Sequence, residues 1–227
     1  MPDRIDPDEL TRILAAESLA EDDPTGWFER LYAMAEAEAE GAVVPWDREA
    51  PQRLLVGWAE ARRPARGGRA LVVGAGYGRD AEYVQGLGFA TVAFDVSPTA
   101  VEATRRRFPD SAVEYVTADL LDLPAAWRRG FDLVVESLTV QALPPVLHDQ
   151  AIAAVRATVA PGGTLLVIAS GQPAGTDVEG PPWPLTPDEV EAFATDGLVT
   201  VRRERIGAAD PVDPTWVWRI ELRRPEP

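Results

Sequence analysis

The chain has 227 residues, a net charge of −15 at neutral pH and no cysteine. That length suits one α/β domain with room for an appendage and allows about 70% of the unfolded surface to be buried, so no staple is needed. The missing cysteine excludes disulfides, thiolate metal sites and a cysteine nucleophile.

The acidic start, Met1 to Glu9, lacks the basic-then-apolar order of a signal peptide, and no apolar run approaches the ~18 residues that span a membrane. A cytoplasmic protein with no membrane partner is expected. All 22 basic residues are arginine, which removes a catalytic or Schiff-base lysine. The acidic balance also opposes a nucleic-acid partner, because that affinity rests on neutralising phosphates.

Residues 7–20, 25–40 and 49–62 read as helices, with a break at Gly41–Asp47 that carries Trp46. Residues 1–65 are expected to form a helical cap over the ligand end of a sheet, in the same domain as residues 66–227. From Arg69 the pattern becomes βαβα, which predicts a parallel sheet. Strands are predicted at 69–74, 90–95, 113–118, 131–136 and 164–169, with helices at 79–87, 98–107, 123–129 and 144–159. Ser97 and Pro98 supply a cap and a first-turn proline. Pro161-Gly162-Gly163 is expected to end the long helix and turn into the fifth strand. Thr186-Pro187-Asp188-Glu189 starts a further helix over 187–195 with a capping-box pattern. The runs 198–206 and 215–223 read as an antiparallel pair at the sheet edge, joined through Gly207–Pro214.

The first strand ends in Gly74-Ala75-Gly76-Tyr77-Gly78. Glycine admits positive φ and lets backbone amides lie against a ligand. A dinucleotide fingerprint, Gly-x-Gly-x-x-Gly, would need its third glycine where Arg79 stands. Asp95 closes the second strand, where a carboxylate can accept both hydroxyls of a ribose; Ser97 is already present to cap the following helix. Asp119 closes the third strand, followed by Leu120, and suits an adenine amino group and ring face. A turn or cap is the competing role for Asp119.

Together with Phe131-Asp132 opening the fourth strand and Pro161-Gly162-Gly163 before the fifth, these motifs over residues 69–169 resemble those of class I S-adenosylmethionine (SAM)-dependent methyltransferases. Gly76–Asp80 and Glu136–Pro145 are similar to the thiopurine and thiol methyltransferase subgroup, and Pro45-Trp46-Asp47 to the tryptophan loop of plant halide/thiol relatives. The resemblance implies a Rossmann-like, doubly wound sheet of seven strands, mostly parallel with a C-terminal antiparallel strand. It implies SAM as cofactor, S-adenosylhomocysteine (SAH) as product, and a small-molecule acceptor, a thiol by preference. The cofactor contacts it implies are Gly74, Ala75, Gly76, Tyr77, Gly78, Asp80, Asp95, Val96, Asp119, Leu120 and Glu136. The chain departs from the family at Val72, where many members carry an acidic residue. The methionine amino group would then rely on carbonyls near Gly74 and Glu136, or on Asp80.

Trp46, Ser137, Thr139, Gln141 and Trp183 are candidate acceptor contacts, and the loop 171–184 is a candidate lid. His148, the only histidine, and Tyr32 are the candidate bases, although His148 also reads as a solvated helix residue and any one tryptophan as packing. No metal set is apparent with one histidine and no cysteine. Alternatives left open are O- or N-methylation, an NAD-dependent oxidoreductase, a nucleic-acid methyltransferase and a SAM-binding protein without catalysis. The sequence does not speak to oligomeric state.

Overall fold

A computed structural model describes residues 6–38, 42–207 and 216–226. The chain start, positions 39–41 and most of the predicted 207–214 connection therefore lie outside the described residues. Seven strands form one sheet: β1 (Arg69–Val73), β2 (Ala90–Asp95), β3 (Glu114–Thr117), β4 (Phe131–Ser137), β5 (Val159–Gly171), β6 (Val199–Ile206) and β7 (Trp216–Arg223). Their order is β3-β2-β1-β4-β5-β7-β6. The first five are parallel, and β7 runs antiparallel between β5 and β6.

Alternation along β1 explains why helices cover both faces. Leu71 and Val73 pack on one side with Phe94, Val134, Ile152 and Phe193; Ala70 and Val72 pack on the other with Leu55, Val84 and Leu133. Each large side chain taken out of water this way contributes about 1.5–3 kcal/mol. The first face is covered by α6 (His148–Thr158) and α7 (Pro187–Ala192), the second by α3 (Arg53–Arg62), α4 (Arg79–Gly86) and α5 (Pro98–Arg107). A third cluster joins α1 (Pro7–Ala20) and α2 (Gly26–Glu36) to Tyr77 of the glycine loop and to Ala100 and Ala103 of α5. The cap is thus α1 and α2, whereas α3 belongs to the sheet layer: Leu55, Trp58 and Ala59 are buried against it.

Local chemistry sets the element boundaries. Ser97 Oγ accepts from Ala100 N–H at 3.0 Å to start α5, and Thr186 with Glu189 forms a capping box on α7. Helix 123–129 is not formed. Pro124 interrupts it, leaving single 3₁₀ turns at Leu120–Asp122 and Ala125–Trp127. Pro161-Gly162-Gly163 does not precede the fifth strand but lies within it, at an irregularity in the pairing of β5 with β4. A Cβ on Gly163 would come within 2.9 Å of the Phe131 carbonyl, so only glycine fits that crossing. Among the described residues no helix is long and apolar enough to cross a membrane.

Candidate active site

The carboxyl ends of β3, β2, β1 and β4 open on one cavity of about 310 Å³. Strand spacing of about 4.8 Å puts the outermost two of these ends about 14 Å apart, which makes the cavity a trough along the sheet edge. At its centre is the glycine loop. Gly76 has φ +50°, and a Cβ there would lie 2.9 Å from the Tyr32 hydroxyl. Gly74, at φ +59°, would collide with Thr139 in the same way.

Asp95 ties this loop to the next strand. Its Oδ2 accepts from Gly76 N–H at 2.9 Å and its Oδ1 from Ser97 N–H at 3.0 Å. Burial pushes the carboxyl up to about 6, against the opposing hydrogen bonds from Ser97, Gly76 and Val96. Each oxygen retains a lone pair for a further donor. Asp119 Oδ1 accepts from Leu121 N–H at 2.8 Å, so it does cap a turn, yet Asp119 and Leu120 both line the cavity. Ala75, Tyr77, Gly78 and Val96 line it as well. At the β4 end, Asp80 accepts from Gln52 N–H at 2.7 Å, and burial raises its carboxyl above the ordinary value against that bond and the nearby Arg48 charge. Five aspartates (8, 47, 80, 95, 119) and two arginines (48, 79) face the cavity, so its field favours a cation.

Beyond the glycine loop the wall turns aromatic. Trp27, Phe28, Tyr32 and Trp46 come from α2 and the segment after it, and Leu143, Pro181 and Pro182 face the same space. Trp46 meets Trp27, Phe28 and Tyr32 edge-on, with ring centroids 5.9, 6.2 and 6.0 Å apart. Its Nε1–H donates to the Tyr32 hydroxyl at 2.7 Å. Phe28 and the proline pair carried no signal in the sequence beyond lying in apolar or proline-rich stretches.

Several expected site residues lie elsewhere. Glu136 is fully buried away from the cavity: its Oε1 accepts from Thr139 and Val140 N–H at 2.9 and 3.0 Å, and its Oε2 has no partner among the described residues. His148 is no base, and it is not a solvated helix residue either. It is buried, with Nε2 donating to the Leu143 carbonyl at 2.8 Å and Nδ1 paired to Glu189 at 2.6 Å. Trp183 packs its indole over Gly180 and does not line the cavity; its backbone N–H donates to the Gln141 carbonyl at 2.7 Å. Tyr32 does line it, but burial and the neighbouring Asp95 charge hold its hydroxyl proton well above the ordinary value, which removes it as a base. Thr139 also lines it, with its hydroxyl already donated to the Val73 carbonyl at 3.0 Å.

The family model described as a methyltransferase domain matches residues 70–163, the stretch that supplies the glycine loop, Asp95 and Asp119. No curated protein matches the chain in sequence. Among solved structures, the N-methyltransferase NodS from Bradyrhizobium japonicum, in complex with SAH, is similar at TM-score 0.66 and 20% identity, over 86% of this chain and 99% of that one. The Burkholderia thailandensis 1,6-didemethyltoxoflavin-N1-methyltransferase, with its substrate and SAH, aligns at TM-score 0.64 and 17% identity over 93% and 91%. A structure described as converting a disulfide bond into a thioacetal group during echinomycin biosynthesis aligns at TM-score 0.64 and 23% identity over 80% and 84%. At these identities the likeness is one of fold.

SAM, the cofactor of methyltransferase domains of this fold, fits the trough on its own evidence. The positive-φ glycines leave bare backbone at the centre. A buried aspartate with spare lone pairs stands beside that backbone at the end of β2, and the acidic lining suits a sulfonium and an ammonium. Asp119 and Leu120 would hold the adenine, Asp95 the ribose, and Asp80 the amino group.

Proposed function

We propose that this methyltransferase domain methylates the sulfur of a small aromatic thiol bound between the cap aromatics and the β4 turn. The observation that carries the reading is a pairing: the trough runs from the glycine loop into an aromatic chamber, and neither candidate base serves that chamber. When bound, SAM supplies an electrophilic methyl group on a cationic sulfur. The chain's own task is then to hold the acceptor in line and exclude water, which can be worth about 7–11 kcal/mol. Trp46, Phe28 and Trp27 would stack on the acceptor and face the sulfonium with their π systems. A thiol ionised near neutral pH needs no general base, whereas a phenol or an aliphatic amine does.

One feature supports an amine or phenol as a second reading. Asp8 on α1 lines the cavity and could take a proton. The fold relatives do not choose between the two, since one is named for a nitrogen and one for sulfur chemistry. The deciding measurement is SAH release by the purified protein with an aromatic thiol, its isosteric phenol and its isosteric amine. Turnover of the thiol alone is expected. Faster turnover of the phenol or amine, abolished by Asp8→Ala, would replace this reading with the second.

A further inference from the structure

Gln141 is the one amide side chain in the wall formed by Leu143, Pro181 and Pro182, and it is 5% exposed. Its orientation is decided by chemistry. Ser170 N–H lies 2.5 Å from Oε1 and can only donate, so the atom it faces must be the oxygen. The backbone carbonyl of Gln141 is likewise taken, by Trp183 N–H at 2.7 Å. These two bonds pin the turn Val140–Ala142 to β5 on one side and to the proline-rich loop on the other. What remains is Nε2. It has no partner among the described residues, and because Gln141 lines the cavity its N–H groups are left free to meet a ligand there. The hydroxyl of Thr139, also in this turn, is committed to the Val73 carbonyl.

We infer that Gln141 selects acceptors that present a hydrogen-bond acceptor, such as a carbonyl oxygen or a ring nitrogen, on the side opposite the cap aromatics. The inference rests on the reading of the aromatic chamber as the acceptor site. A fixed donor in an otherwise apolar wall orients a flat ligand that stacking alone leaves free to rotate. It also rejects an isostere that lacks the polar atom, because Nε2 would then be covered and left unpaired.

The test is calorimetric titration, in the presence of SAH, of acetyl-benzenethiol against isopropenyl-benzenethiol, each as meta and para isomers. The pair differ by an oxygen in place of a methylene. The wild type is expected to bind one ketone isomer about tenfold more tightly than its alkene partner. Gln141→Glu keeps the Ser170 bond and the volume but replaces the exposed donor with an acceptor; it should abolish or reverse that preference, with SAH titration reporting that the variant is folded. Equal affinities in the wild type, no binding of either probe, or a preference that survives in Gln141→Glu would overturn the inference. SAH release is scored separately: its absence with both thiols would count against S-methylation and leave the ratio of affinities to judge Gln141.

Discussion

Two buried carboxylates face opposite ways although both lie near the carboxyl ends of inner strands. Asp95 faces the trough with spare lone pairs, and Asp95→Ala is expected to weaken SAH binding tenfold or more, a charge-assisted hydrogen bond being worth about 1.5–3 kcal/mol. Because its carboxyl titrates at about 6, SAH affinity should weaken as pH falls from 7 to 5, which calorimetry across that range would check; a flat profile would refute the ribose contact. Glu136 faces protein, where burial pushes it up to about 7 against the Val140 and Thr139 N–H groups, with His148 nearby. A folded value above the ordinary 4.5 means that the native state holds the proton more tightly. The corresponding stability is complete below about 4.5 and is lost as pH rises through about 7. Glu136→Gln should therefore flatten the dependence of melting temperature on pH between 5 and 8. The glycine loop, Asp95 and Asp119 were legible because each sits at a strand end at a telling distance from the last. Glu136 and Ser137 are neighbours on a strand and point their side chains to opposite faces, so only one of the two side chains meets the cavity. Which of them meets the cavity depends on the pairing of β4 with β1 and β5, which no local pattern records.

At the level of elements, the cap is latched by one side chain. Glu29 on α2 accepts from the Ser97 hydroxyl at 2.5 Å, the Thr99 hydroxyl at 2.6 Å and Thr99 N–H at 3.2 Å, all at the start of α5. Burial alone would raise the Glu29 carboxyl, but these hydrogen bonds outweigh it and hold it below its ordinary value. Glu29→Ala should lower the melting temperature by about 2–6 °C and weaken SAH binding severalfold, because Trp27, Phe28 and Tyr32 ride on the same helix. An unchanged SAH affinity would mean that α2 is held by packing alone. The helices themselves could be read from composition and caps: α1, α4 and α5 begin where the sequence places them. Their destinations could not. The alanine-rich character of the N-terminal helices says nothing of which layer each joins, and α3 lies on the sheet because Leu55 and Trp58 meet a face assembled from β1, β4 and β5. The bulge in β5 was hidden for a related reason: Pro-Gly-Gly marks a break in backbone regularity, and both a turn and a bulge are such breaks.

For the whole molecule, the sheet order matters more than the strand count. The hairpin of β6 and β7 was visible as two β-rich runs, but not that its second strand enters first, beside β5. The burial alternation of β7 carries that placement: Trp216, Trp218, Ile220 and Leu222 are all buried, whereas β6 is largely exposed. A chain stopped after Ile206 therefore loses two strands from the sheet, since β6 pairs only with β7. Such a truncation should show no cooperative thermal transition, and a sharp melt would refute the dependence. The same order puts manufacture and assembly out of step. Ribosomes add about 5–20 residues per second, so β6 emerges roughly one to three seconds before β7. Until then it is a ribbon with both edges unpaired, bearing Val199 and Val201 on its surface. Arg202, Arg203 and Arg205 on that run are charges of the kind that keep an exposed strand from pairing with the wrong edge.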